Sequence, residues 1–330
     1  MDAPLVLVAP DSFKGTFSAD EVARAIGVGL RLAGCAVDLA PVADGGEGTA
    51  AVLARAAGAR AVRLSVPGPL GAPVDAEFYL GDDGTAFIDA AAASGLALVP
   101  EADRTPAAAV DASTAGTGAL VAAASAAGAR EIRLGVGGSA TTDGGRGAIE
   151  AIGPGGLRGA RLRVLCDVTS TYLEAPVVFG PQKGADPATV DRLVRRLDDY
   201  AGTLPRDPRG VPMSGAAGGL AGGLWAAFGA ELLPGAAHVL EAVALRKRAE
   251  RATAVVTGEG RFDAQSALGK LTGAVRDVAG RPTHLIVGST DLDAAAVTDA
   301  GFASLRVAGN PESLAAAGRS LGLAMVQGPR

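Results

Sequence analysis

Six short apolar runs in this chain each stop at a loop built from glycine, acid and hydroxyl residues. Leu5–Pro10 runs into D-S-F-K-G, Ala36–Val42 into A-D-G-G-E-G, and Ile132–Gly135 into V-G-G-S-A-T-T-D-G-G. Arg161–Cys166 delivers Asp167, Ala254–Thr257 leads to G-E-G-R-F-D-A-Q-S, and Thr283–Val287 ends at G-S-T-D. Helical patterns follow most of these loops, and Ser18 with Glu21 forms the capping pair S-x-x-E ahead of one of them. Strand, loop and helix in alternation specify a parallel sheet, because parallel neighbours need a crossover connection. In such sheets ligands are met by the loops after the strand C-termini. Asp11 and Asp44 both fall at such ends.

Ile132–Gly147 is the fullest of these passages. Its glycines let backbone approach a ligand closely, and a helix start beyond a glycine loop offers N–H groups and dipole to an anion. Ser139, Thr141 and Thr142 add hydroxyls, and Asp143 either caps the next helix or holds a metal. The loop is not a Walker A motif, since no G-K-[ST] closes it. It does contain G-x-G-x-x-A at Gly135, Gly137 and Ala140, which permits a dinucleotide reading with Asp167 as the ribose acid. The hydroxyls and D-G-G exceed what a dinucleotide turn needs, so the passage reads first as a phosphate-handling loop.

Between residues 61 and 90 the pattern changes. Ala61–Ser65, Val74–Leu80 and Thr85–Ala90 read as short strands joined by tight turns, G-D-D-G-T being a hairpin signal. The expected layout is therefore α/β with two domains. A Rossmann-like parallel-sheet domain takes residues 1–65 and 238–330. A mixed α/β domain, 66–237, is inserted into it and carries the G-G-S-A-T-T-D-G-G and F-G-P-Q-K-G loops. The active site is expected in the cleft. The uncharged Met213–Ala230 is long enough to span a membrane, but its six glycines favour a glycine-rich soluble helix or loop.

Charge and residue usage exclude other classes. The net charge is −5, with no basic stripe, which speaks against nucleic acid. Two cysteines, Cys35 and Cys166, make no disulfide framework and fit a reducing, cytoplasmic setting. The start M-D-A-P-L-V-L-V has no basic segment of a signal peptide. His238 and His284 lie in apolar contexts and read as structural. Of 30 basic residues only Lys14, Lys183, Lys247 and Lys270 are lysine. Lysines kept in F-K-G, Q-K-G and G-K against such an arginine bias point to compact charges set on a phosphate. Asp11, Asp44, Glu47, Asp143, Asp167, Glu259 and Asp263 all sit in strand-end loops. Phosphoryl transfer needs such carboxylates for Mg²⁺ and for the proton of the attacking hydroxyl.

Seven ordered motifs carry a resemblance: A-P-D-S-F-K-G-T (Ala9–Thr16), P-V-A-D-G-G-E-G-T (Pro41–Thr49), G-V-G-G-S-A-T-T-D-G-G (Gly135–Gly145), C-D-V-T (Cys166–Thr169), F-G-P-Q-K-G-A (Phe179–Ala185), G-A-A-G-G-L (Gly215–Leu220) and T-G-E-G-R-F-D-A-Q-S (Thr257–Ser266). Together they resemble the bacterial type 1 glycerate kinases over residues 5 to 290. The resemblance implies a two-domain α/β enzyme that phosphorylates D-glycerate with ATP and Mg²⁺, often giving 2-phosphoglycerate. It implies no nucleic acid, membrane or obligatory protein partner. The chain departs from the family at Ser170–Tyr172, where an asparagine-proline is common, and in the shortened G-P-G-G-L-R-G segment.

On this reading Lys14 and Lys183 neutralise phosphate or carboxylate charge. Asp44 or Asp143 is base or metal ligand, and Asp167 is a further ligand. Gly137, Gly138, Ser139 and Thr141 hold phosphate. Asp11, Ser12, Gln182, Glu259, Asp263, Gln265 and Ser266 line the substrates. Two other classes remain open: a nicotinamide-dependent oxidoreductase on a small hydroxy acid, and a non-catalytic metabolite-binding protein.

Overall fold

A computed structural model describes residues 3–263, 266 and 271–327. Gln265 and Lys270 lie outside the described residues. The chain divides into two compact units, Met1–Asp44 with Ala236–Arg330, and Gly45–Gly235. In chain order the first unit begins with β1 (Leu5–Val8) and β2 (Ala36–Leu39). The second holds β3 (Arg60–Pro67), β4 (Pro73–Leu80), β5 (Thr85–Asp89), β6 (Glu131–Gly135), β7 (Arg161–Cys166) and β8 (Glu231–Pro234). The return to the first unit adds β9 (Ala254–Thr257), β10 (Arg261–Phe262), β11 (Thr283–Val287), β12 (Ser289–Thr290) and β13 (Ser304–Val307). The sequence pattern sets the first boundary near residue 65. The division falls at residue 44: β3 pairs with β4 along its whole length, and Gly48 N and Ala50 N at the start of the helix Thr49–Ala57 donate to Asp89 of β5, so both elements belong to the second unit.

The first unit is a five-stranded parallel sheet in the order β13-β11-β9-β1-β2. Val6, Leu7 and Val8 of β1 are fully buried, as a strand covered on both faces requires. The helix Ala19–Leu32 starts at the expected capping box: Ser18 Oγ accepts from Glu21 N, and the Glu21 carboxylate accepts from Ser18 N at 2.8 Å. Its Val22, Ile26 and Leu30 join Val6, Val8, Val256 and Ile286 in one core. The C-terminal helix Pro311–Gln327 packs backbone to backbone on it. A Cβ added at Gly318 would lie 2.4 Å from Ile26 O, so only glycine permits this approach.

The second unit is a six-stranded mixed sheet in the order β3-β4-β5-β6-β7-β8. β3, β4 and β5 are antiparallel neighbours, and β5 to β8 run parallel. The hairpin signal at G-D-D-G-T is the β4–β5 connection. Phe78, Ile88, Leu120, Ile132, Leu134, Val164 and Leu224 form its core. Within Met213–Ala230, tight turns lead into the helix Leu220–Phe228, whose Leu220, Ala221 and Leu224 are buried. The stretch Pro106–Ala126 is long and apolar enough to cross a membrane by length and composition, but it is two helices, Pro106–Asp111 and Ala115–Ala126.

Candidate active site

In the first unit, the segment after β1 runs on beside β9. Ala9 N and Asp11 N donate to Val256 O and Gly258 O at 2.7 and 2.8 Å. Phe13, buried, bridges back to Phe17 across a tight turn whose exposed tip is Lys14-Gly15, with Gly15 at φ +76°. From this tip Lys14 Nζ reaches Asp44 Oδ2 at 3.6 Å. Asp11 is 7% exposed, and its Oδ1 accepts from Ser12 N at 2.7 Å. Burial pushes the Asp11 carboxyl up to about 7, Asp44 and Glu259 push the same way, and the Ser12 N–H and Lys14 oppose them. Glu259 accepts from Thr272 Oγ1 at 3.3 Å, and Asp263 Oδ1 from Ser266 N at 2.9 Å. Asp11, Ser12, Lys14, Asp44, Glu259, Asp263 and Ser266 are thus all held in this unit. Among them, an acid pair faces one ammonium.

A second group gathers at the ends of β6 and β7. Gly137 packs so closely that a Cβ there would lie 2.5 Å from Gly46 Cα and 3.0 Å from Asp167 Oδ2. Gly138, at φ +74°, is exposed beside it. Ser139 and Thr141 are buried and meet Lys183: its Nζ donates to Ser139 Oγ at 3.1 Å and to Thr141 O at 2.7 Å. Lys183 sits on the short turn Pro181–Lys183, next to the exposed Gln182. Gly184, at φ +96°, closes that turn, and a Cβ there would lie 2.4 Å from the Arg104 carbonyl. Lys183 is 4% exposed, and burial pulls its pKa down to about 8 against the pull of Asp143 and Asp167. A buried ammonium held by one hydroxyl and one carbonyl is a positive site suited to an anionic ligand.

Asp143 takes the capping role of its two readings. Its Oδ2 accepts from Thr114 N, Thr114 Oγ1 and Gly147 N at 2.9, 2.8 and 3.1 Å, and its Oδ1 from Gly145 N at 3.0 Å. Four donors on one carboxylate fix the start of the helix Arg146–Ile152 and tie it to Thr114. Three participants have no part in the sequence reading. Thr114 Oγ1 also accepts from Ala148 N at 2.9 Å. Asp89, at the end of β5, accepts from Gly48 N and Ala50 N, both at 2.9 Å, and so caps the helix Thr49–Ala57. Tyr172, fully buried, donates to Gly144 O at 3.1 Å. Only Asp89 carries a usable hint, an acid ending an apolar strand.

Gly135, the first glycine of the G-x-G-x-x-A match, has a packing reason: its missing Cβ would meet Asp89 Oδ1 at 2.9 Å and Gly45 O at 3.0 Å. His284 Nδ1 pairs with Ser304 Oγ at 2.8 Å in a structural role. Among the described residues no three His, Cys, Asp or Glu side chains cluster as a metal site. Asp11 beside Asp44 nevertheless suits Mg²⁺, which takes one or two carboxylates and completes its shell with phosphate and water oxygens.

Sequence comparison adds an independent line. The family model described as "Glycerate kinase family" matches residues 6–157 and 154–321. A protein named "Glycerate 2-kinase" from Escherichia coli (strain K12) is 38% identical, with 86% of this chain and 84% of that protein covered. One named "Glycerate kinase" from Bacillus subtilis (strain 168) is 40% identical over 91% of this chain and 89% of its own. A crystal structure from Salmonella typhimurium LT2, described as a glycerate kinase 2, superposes with a TM-score of 0.82. It is 33% identical and covers 98% of this chain and 99% of its own.

Proposed function

Given that the chain belongs to the glycerate kinase family and is a kinase, we propose that it transfers the γ-phosphoryl group of ATP directly to D-glycerate, with Mg²⁺, to give 2-phosphoglycerate. The observation that carries this reading is the buried Lys183 ammonium turned onto Ser139 Oγ and Thr141 O in the glycine-rich loop. It supplies a desolvated positive charge, and Gly138, exposed beside it, brings backbone without a side chain to the anion. The name of the Escherichia coli relative, a glycerate 2-kinase, supports the position of the new phosphate.

Phosphoryl transfer asks little covalent chemistry of the protein and much positioning. Lys183, Ser139, Thr141 and the Gly138 backbone hold a phosphate or the glycerate carboxylate, with Gln182 beside them; Gly137 serves through its close packing on Gly46, its N–H being given to Gly45 O at 3.2 Å. The Asp11–Asp44 pair supplies the acceptor for the proton of the attacking hydroxyl. Lys14, paired with Asp44 at 3.6 Å, sets an exposed charge on the transferring group. Asp44 is the first candidate to hold Mg²⁺ and Asp167 the second; bound there, the ion supplies charge neutralisation on the phosphate oxygens. Ser12, Glu259, Asp263, Gln265 and Ser266 are proposed to line the substrates. Asp143 acts through structure, since its carboxylate is already taken by four donors.

The test is ADP release in the presence of ATP, Mg²⁺ and D-glycerate, run beside the same protein with NAD⁺ in place of ATP. The reading expects ADP that depends on glycerate and no NADH. Reduction of NAD⁺ without ADP release would transfer the case to the oxidoreductase class, and ligand binding without either product to a binding protein.

A further inference from the structure

Arg196 lies outside every motif discussed so far, yet it enters the glycine-rich segment. It stands on the amphipathic helix Pro187–Ala201, which packs Leu193 and Val190 against Ala109 and Ala185. Its Nη2 donates to Thr142 O at 2.5 Å and its Nη1 to Val110 O at 2.6 Å, linking segments 54 and 86 positions away. Thr142 O is the carbonyl next to Thr141 O, which Lys183 holds at 2.7 Å. The following side chain, Asp143, is anchored on Thr114. Three successive residues are therefore each tied to a different distant part of the unit.

Packing alone does not call for a guanidinium here. Its Nε has no protein partner among the described residues, and burial holds its pKa below the usual arginine value while Asp143 acts the other way. A part-buried cation with one buried nitrogen left unpaired costs stability, and a neutral amide donor would satisfy either carbonyl. The arrangement is accounted for if rigidity of this segment is what the residue provides.

We propose that Arg196 is a positioning residue of the transfer reaction: by holding the Thr142 carbonyl it keeps Ser139, Thr141 and Lys183 in one geometry toward the anionic substrate. This rests on the anion-binding reading of that segment given above. Arg196 does not touch the substrate. Its loss therefore lowers kcat far more than it raises either KM.

The experiment compares wild-type protein with R196A and R196K. Steady-state kinetics with ATP and D-glycerate are measured together with hydrogen exchange over residues 139–145 and circular dichroism. A displacement of about 1 Å costs about 100-fold in rate, so kcat of R196A falls on that order while both KM values stay within about threefold. R196K, and R196A with millimolar guanidinium, recover part of kcat. Exchange over 139–145 quickens in R196A. The proposal is overturned by a kcat of R196A within about threefold of wild type, by a loss that only follows the unfolded fraction in R196A and R196K alike, or by unchanged exchange. If the wild type itself turns over no glycerate, the proposed function fails, and the exchange comparison alone decides the role of Arg196.

Discussion

Replacing Lys183 by Met separates what the ammonium does for stability from what it does for chemistry. Met keeps the length and bulk and removes the charge. In the folded chain the pKa stands at about 8 against 10.5 in the unfolded chain, a difference of 10.5 − 8 = 2.5. At about 1.4 kcal/mol per unit, the folded state carries about 3 kcal/mol of burial cost while the side chain is protonated. Met removes that cost but leaves Thr141 O without its donor, a loss of about 1–3 kcal/mol. The two nearly cancel, so K183M unfolds within about 2 kcal/mol of wild type at pH 7. Between pH 8 and 10.5 the unfolded chain binds the lysine proton and the folded chain does not. Wild-type stability from this group therefore rises with pH across that window, and K183M lacks the rise. Activity behaves oppositely: kcat/KM falls by about 100-fold or more, as for loss of one electrostatic donor at a reacting anion. Urea unfolding at pH 7.5 and pH 10, with ADP release on the same preparations, reads all three quantities. K183M that keeps its kcat/KM within about tenfold, or that loses several kcal/mol of stability, would falsify the reasoning.

Further outcomes are expected elsewhere. D143A leaves the N–H groups of Thr114, Gly145 and Gly147 without their acceptor and loses about 3–5 kcal/mol in urea unfolding, while D143N, which keeps an acceptor oxygen, loses less. A stable but inactive D143A would instead give that carboxylate a chemical role. K14A leaves the midpoint of unfolding unchanged, because its side chain is 65% exposed, but lowers kcat by at least about tenfold; an intact kcat would remove Lys14 from the site. Burial first, with Arg306 adding, holds the His284 ring down to about 4 from 6.5, so the unfolded chain takes the proton first and stability is lost as pH falls from 6.5 toward 4. With the ring only part-buried this amounts to about 1–2 kcal/mol, and H284Q flattens the acid limb of a stability profile; an unchanged limb would place its cause elsewhere.

Much of this was legible because glycines, caps and strand ends are local. The capping pair Ser18–Glu21, the G-D-D-G-T hairpin and the parallel runs at β1, β6, β7, β9 and β11 are all written in a few neighbouring residues. β8 and β13 were not legible: both are four-residue edge strands with no fully buried position to impose a pattern. The helix Pro311–Gln327 escapes for another reason. Its buried face is half glycine, Gly318 and Gly322 beside Leu314 and Leu321, and Gly318 is explained only by the Ile26 carbonyl opposite it. The same holds in the site. Asp143 reads from sequence as cap or ligand, and what separates the two is Thr114, 29 positions earlier. Lys183 stands out through the arginine bias, but its burial and its two acceptors depend on a loop 42 and 44 positions away. Arg196 looks like any polar residue of an amphipathic helix until Thr142 is placed beside it.

We propose above that the chain moves phosphate from ATP onto the C2 hydroxyl of D-glycerate. Proton-coupled ³¹P NMR of the reaction mixture reads this directly. A phosphate on C2 has one proton on its carbon and gives a doublet, and one on C3 has two and gives a triplet. Transfer to C2 gives a new phosphomonoester doublet that grows as the ATP γ signal declines, only when glycerate is present. A triplet would contradict the position of transfer, and an unchanged ATP spectrum would contradict the activity itself.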